Sequence, residues 1–265
     1  MPLEAVLLVL ASTVIHAGWN ARLHRMDDPA VVIATSYLWV GVVLLPMVVV
    51  DPPVEVLGWV FASAAAQAVY LGFLGSAYRD GSLSVTYPIA RGTAPLLIGL
   101  GGWWLLGETP SIATSVGLVV LTVGILLVAG LGARLREGRA VAMALLTGLG
   151  TVGYSLIDAR SVDLTGVLGY LSVIMILSSL VVFAVRQPGV ERIRASLRPG
   201  VLIGVGQGTA YALVLLAFKQ AQAGQVSGLR QVSVVLGVLL AREALGPRAL
   251  GGALAVAVGA ALVVW

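Results

Sequence analysis

The sequence predicts an all-α integral membrane protein, with ten transmembrane helices arranged as two inverted five-helix repeats. Three observations predict it. Of 265 residues, 59% are hydrophobic and only 11% charged, whereas a soluble domain carries roughly 25% charged residues, so the usual water-facing surface cannot be built. Pro, Gly and charged residues divide the chain into ten apolar stretches, each close to the about 20 residues that a helix needs to cross hydrocarbon. Short segments of the first half also recur, in order, in the second.

The apolar stretches lie near 3–23, 30–50, 54–78, 83–106, 110–131, 140–160, 165–185, 201–221, 226–241 and 247–265. Asp28-Pro29, Thr109-Pro110 and Gly246-Pro247 place a proline at or near a first helical position, where its missing N–H costs nothing. The longest polar link, 186–200, has room for a short surface helix at most. The ninth stretch is the shortest. Arg91 lies 17 residues before Glu108, but its counterpart Arg230 lies 13 before Glu243, a loss of about one turn, or roughly 6 Å at 1.5 Å per residue.

Charge distribution orients the chain. Mean hydropathy is +1.01 and net charge +4, but the basic residues are scattered over short connections, which is no nucleic-acid footprint. Connections one, three, five, seven and nine hold Arg22, Arg25, Arg79, Arg134, Arg136, Arg139, Arg186, Arg192, Arg194, Arg198, Arg242 and Arg248. The even connections and both termini offer Arg160 and Lys219. That bias places the odd connections in the cytoplasm and both termini outside it, in a multi-pass protein of the cell (inner) membrane. The segment MPLEAVLLVL has Glu4 and no basic residue before its apolar run, so it lacks the positive region of a cleavable signal peptide.

Cysteine is absent, which excludes disulfides and thiolate metal sites. There is no HExxH and no Walker loop, and GVGQG (204–208) sits inside an apolar stretch with no preceding strand, so its glycines read as helix-contact residues. No cofactor or metal is expected, and ATP does not power the protein directly.

The internal repeat has a near-constant register. GWN (18–20) pairs with GYS (153–155), AYRDGSLS (77–84) with AFKQAQAG (217–224), and LGETPS (106–111) with AREALG (241–246), at offsets of 135, 140 and 135 residues. Five spans per half is an odd number, so the second copy enters the bilayer inverted. Residues 1–132 form the first repeat, 133–139 a cytoplasmic linker and 140–265 the second repeat. Inverted repeats of this kind recur in secondary transporters, with the substrate near the midplane.

HAGWNARLHR, AYRDGSLSVTYPIARGTAP and LGETPS in the first half, with GYSLIDARSV and SGLRQVSVVLG in the second, resemble the EamA family of the drug/metabolite transporter superfamily. The resemblance covers essentially the whole chain. It implies a ten-helix fold of two inverted five-helix repeats, and export or exchange of small metabolites by alternating access. It does not name a substrate.

Candidate site residues follow from polar groups placed where lipid should be. Arg91, flanked by Pro88 and Pro95, sits about eight residues into its span, where an arginine costs about 2.5–3.5 kcal/mol on insertion scales. It either meets an anionic group in a wet cavity or caps carbonyls freed by the prolines and snorkels. Arg230 is its repeat counterpart, closer to a span end, with Gln231 and Ser233 beside it. His16 and Asn20 share a helix face with Trp19 adjacent, either for substrate or for helix–helix hydrogen bonds. Trp19 and Tyr154 match across the repeats, as cavity walls or interface aromatics. Tyr87, and Gln207 with Tyr211 four residues on, add polar stripes, as do Gln67 and Tyr70. Asp158 is the proton-coupling candidate, against a role at a solvated or salt-bridged helix end. Glu108 and Glu243 end their spans, where they serve nearby helix donors.

The expected function is secondary active transport of a small polar or anionic metabolite such as an amino acid or organic acid. The alternative is a membrane-embedded enzyme acting on a lipid-linked or phosphate-bearing substrate, against which no two candidate acid–base groups lie close in sequence. A scaffold is disfavoured by the short loops. The expected partners are a small-molecule substrate and the lipid bilayer, with no nucleic acid, in a monomer or homodimer.

Overall fold

Asp28 and Pro29 show how local chemistry starts the helices. Pro29 opens helix α2 (Pro29–Val43), and the Asp28 carboxylate accepts from the Val31 N–H at 3.4 Å, satisfying one of the donors that every helix start leaves over. Pro247 opens the last helix in the same way behind Gly246. The Thr109-Pro110 start is displaced. The helix there begins at Ile112, and Ser111 caps it by accepting from the Thr114 N–H at 3.0 Å.

The computed structural model describes residues 1–81, 83–92, 94–129, 138–240 and 246–265. Besides α2, these residues form α1 (Leu3–Leu23), α3 (Leu45–Val50), α4 (Leu57–Asp80), α5 (Leu83–Gly92), α6 (Ala94–Leu105), α7 (Ile112–Ala129), α8 (Gly138–Ser161), α9 (Val167–Arg186), α10 (Val190–Phe218), α11 (Ala223–Leu229), α12 (Val232–Leu240) and α13 (Pro247–Val264). No strand occurs among the described residues. Glu243, Arg134, Arg136, Arg242 and most of the proposed linker lie outside them.

Among the described residues, six helices are long and apolar enough to cross a membrane: Leu3–Leu23, Val54–Asp80, Gly138–Ser161, Val167–Arg186, Val190–Phe218 and Pro247–Val264. Large apolar side chains point outward from them, among them Leu3, Phe61, Leu149, Val205 and Leu254. In water such a surface would aggregate; in lipid it is the solvent-facing side. The protein is an α-helical, multi-pass membrane protein.

Two expected stretches are interrupted. The run 30–50 breaks at Leu44, two residues before Pro46, because proline lacks the N–H and crowds the preceding turn. The ninth stretch divides into α11 and α12 at Arg230–Gln231, where Gln231 N–H donates to Gly228 O and Ser233 N–H to Arg230 O in tight three-residue turns. The link 186–200 corrects the expectation of a separate surface helix. After a left-handed Gln187 (φ 44°), α10 starts at Val190 and runs unbroken past Pro199 to Phe218.

Close glycine contacts set the packing. A Cβ on Gly252 of α13 would lie 2.6 Å from Gly124 O of α7, and one on Gly259 would lie 2.7 Å from Gly117 O. These backbones touch because no side chain intervenes, the usual basis of helix association in lipid. Gly204 and Gly208 meet Ser36 and Val40 of α2 in the same manner, as expected for GVGQG. Gly150 of α8 lies against Tyr70 and Ala66 of α4, and that antiparallel contact brings Asp158, two turns on, beside Ser63, two turns back.

The connections sort to two ends. Met26–Asp28, Arg79 and Arg192 line one cleft of about 480 Å³, and ion pairs there join Asp28 to Arg192 (3.7 Å), and Asp80 to Arg79 and Arg139 (3.1 Å each). A second cleft of about 350 Å³ is lined by Glu108, Arg160, Asp163, Lys219 and Gln222. The termini belong to this second end: the Met1 ammonium donates to Val264 O at 2.7 Å, and Gln225 of α11 donates to Val263 O at 3.2 Å.

Candidate functional site

Three charged side chains lie inside the bundle between the two clefts: Arg91 at 4% exposure, Arg230 at 3% and Asp158 at 0%. None of them lines either end cleft. Burying a charge without compensation is among the most expensive things a fold can do, so the partners of these three groups decide what the site is.

Asp158 is fully compensated. Its Oδ1 accepts from Ser63 Oγ at 2.5 Å and from Tyr170 OH at 2.6 Å; its Oδ2 accepts from Tyr211 OH and, at 3.4 Å, from Gln67 Nε2. A carboxylate offers about four lone-pair positions, and four donors from α4, α9 and α10 fill them. The expectation of a solvated or salt-bridged helix end at Asp158 is therefore overturned. The Gly150 contact draws α8 so tightly onto α4 that this turn is interior.

Neither arginine is compensated by an opposite charge among the described residues. Arg91 Nη1 lies 3.3 Å from His16 Nε2, and its Nε has no hydrogen-bond partner. Arg230 places its guanidinium carbon 6.0 Å from the Tyr211 ring centroid, a cation–π contact. Neither forms an ion pair among the described residues. The two lie within electrostatic reach of one another and of His16. Because a guanidinium has only donors to give, His16 Nε2 must accept, which makes the imidazole neutral with its proton on Nδ1. Burial at 4% exposure keeps the Arg91 guanidinium from snorkelling to the bundle surface; capping of the carbonyls freed by the prolines is a separate reading that burial does not address.

The remaining expected residues surround these charges. His16 stacks edge-on against Trp19 at 4.6 Å between centroids. Asn20 donates to His16 O at 2.9 Å and accepts from Tyr78 OH at 2.7 Å. Tyr70, Tyr154 and Tyr211 form a T-shaped aromatic chain with centroid spacings of 5.5 and 5.6 Å. Trp19 and Tyr154 are both buried, so neither is an interface aromatic. Gln207 stands apart: its Oε1 accepts from Ser36 Oγ at 3.3 Å, tying α10 to α2. Tyr87 is buried with its hydroxyl beside the Ser233 side chain.

Orphaned polar atoms concentrate here. Among the described residues, Trp19 Nε1, Gln67 Oε1, Arg91 Nε, Ser155 Oγ and Gln231 Oε1 are buried without hydrogen-bond partners. Native interiors leave few such atoms unpaired, which makes this cluster the candidate site. At the second end, Glu108 accepts from the Ala223 N–H at 2.6 Å, the role expected of it; burial pushes its carboxyl above the ordinary glutamate range, opposed by the α11 amides.

Sequence reasoning did not find Tyr170 and Ser63. Each sits on a different helix from Asp158, with no spacing to announce it. The four-residue interval from Tyr154 to Asp158 did place both on one face, and it could have drawn Asp158 inward.

No family model matches the chain, and no curated protein matches it. Among solved structures, one crystal structure of 18% sequence identity superposes with a TM-score of 0.75, covering 97% of this chain and 95% of that one. The likeness establishes that the helical fold is one seen in a crystal across nearly the whole chain.

Proposed function

We propose that this chain is a secondary active transporter, an exporter or exchanger, that moves a small organic anion by alternating access. One observation carries the reading. Two guanidiniums, Arg91 and Arg230, lie buried in a membrane protein with no carboxylate paired to either among the described residues. Such a pair is costly unless something negative joins it, and a mobile anion does so without abolishing the site between visits.

The proposal includes ten crossings in two inverted halves, 1–132 and 140–265, in the cell membrane with the termini outside. What supports it is the sorting of the connections. The first, third and seventh expected connections line one cleft; the fourth, sixth and eighth line the other, where the termini also meet. The matched arginines 139 residues apart and the resemblance to EamA-type drug/metabolite transporters point the same way. A site sealed from both clefts is what an occluded intermediate of alternating access requires. Counterflow in proteoliposomes, with labelled organic anions, cations and neutral solutes, tests the proposal. Uptake of at least one anion is expected; uptake of cations with no anion would refute it.

A further inference from the structure

Resting on the anion-binding reading above, we infer that the site selects by valence: it takes a singly charged organic anion, and Asp158 sets that preference. The argument is a charge count over the buried groups that meet around His16 and Tyr211. Arg91 and Arg230 contribute two positive charges, and Asp158 one negative. His16 is neutral because its Nε2 accepts from Arg91, and the surrounding Tyr70, Tyr87, Tyr154 and Tyr211 are neutral phenols at ordinary pH. The cluster by itself therefore carries one net positive charge. One negative charge neutralises it. A dianion overshoots, and a zwitterion leaves it unchanged, which separates organic acids from amino acids as substrates.

Asp158 would undo this count if it served as a receptor for an ammonium group, but its geometry does not offer that. Its four acceptor positions are filled by Ser63, Gln67, Tyr170 and Tyr211, so it acts as fixed background charge. Tyr211 joins it to the anion pole, hydrogen-bonding Asp158 through its hydroxyl while its ring carries the Arg230 guanidinium. Asp158 is thus a specificity-determining residue that acts through Tyr211 and the local field and has no contact with the substrate.

Three four-carbon probes share one carboxylate and differ at the far end of the chain, and so in net charge: butyrate (one negative), succinate (two) and γ-aminobutyrate (net zero). Their dissociation constants are measured by calorimetric titration of the purified protein in detergent at neutral pH, where carboxylates are ionised. Wild type should bind butyrate about tenfold more tightly than either of the others, a modest Coulombic discrimination. Asp158→Asn, which leaves two net positive charges, should reverse the order so that succinate binds more tightly than butyrate. A wild type that prefers succinate or γ-aminobutyrate overturns the inference even if Asp158→Asn fails to fold. A folded Asp158→Asn protein that still prefers butyrate removes Asp158 from the role. Binding of none of the three brings down the anion-site reading itself, and this inference with it.

Discussion

Two ways of keeping charge inside a membrane stand side by side in this protein. Asp158 has four donors and needs nothing further; among the described residues Arg91 has one neutral acceptor and an unpartnered Nε. The difference predicts opposite signs on mutation. Tyr170→Phe removes one donor from a buried carboxylate and should destabilise the protein by about 1.5–3 kcal/mol, as for hydrogen bonds to charged groups. Arg91→Gln removes an unpaired buried charge while keeping a donor for His16, so the unfolding temperature should hold or rise, a stability gain at the expense of function. Thermal unfolding of both variants in detergent checks the pair; equal destabilisation by both would mean that Arg91 is a structural group. At this scale the sequence was legible wherever a charge sat among apolar residues, as at Arg91 and Arg230. Asp158 was misplaced because two residues separate it from Arg160 in the chain, while its real surroundings come from three other helices.

Helices in this bundle are held by what their glycines omit. Gly252 backs onto Gly124, whereas Gly251, its neighbour in sequence, has open space beside it. Gly252→Ala must therefore push α7 and α13 apart, at about 1–3 kcal/mol for overpacking. Gly251→Ala should be neutral or slightly stabilising, since alanine is the better helix former by about 1 kcal/mol. A difference in unfolding temperature between the two variants checks this, and equal effects would refute the contact. The element boundaries that sequence located well were those with a local chemical cause, as at Asp28-Pro29 and Gly246-Pro247. Those it missed depend on tertiary support. α10 continues through Pro199 because its flanking turns pack on α2, where Ser196 hydrogen-bonds Thr35 at 2.7 Å, and the turn at Arg230–Gln231 carries no proline or charge run to announce it.

The molecule as a whole has a basic end and a terminal end, and in the proposed topology the basic end faces the cytoplasm, as the arginine bias predicts. Arg194 is exposed in the first turns of α10, just after the connection from α9, in a chain without cysteine. In Arg194→Cys an impermeant maleimide should label only after the membrane is broken; labelling of intact cells would invert the topology. The account as a whole turns on whether the two enclosed guanidiniums hold the cargo. The most direct measurement is counterflow of a labelled organic anion by wild type, Arg91→Gln and Arg230→Gln reconstituted in equal amounts. Both variants should lose transport by about tenfold or more, the scale of one lost charge-assisted contact, while remaining folded. Folded variants that carry the anion at the wild-type rate would contradict it.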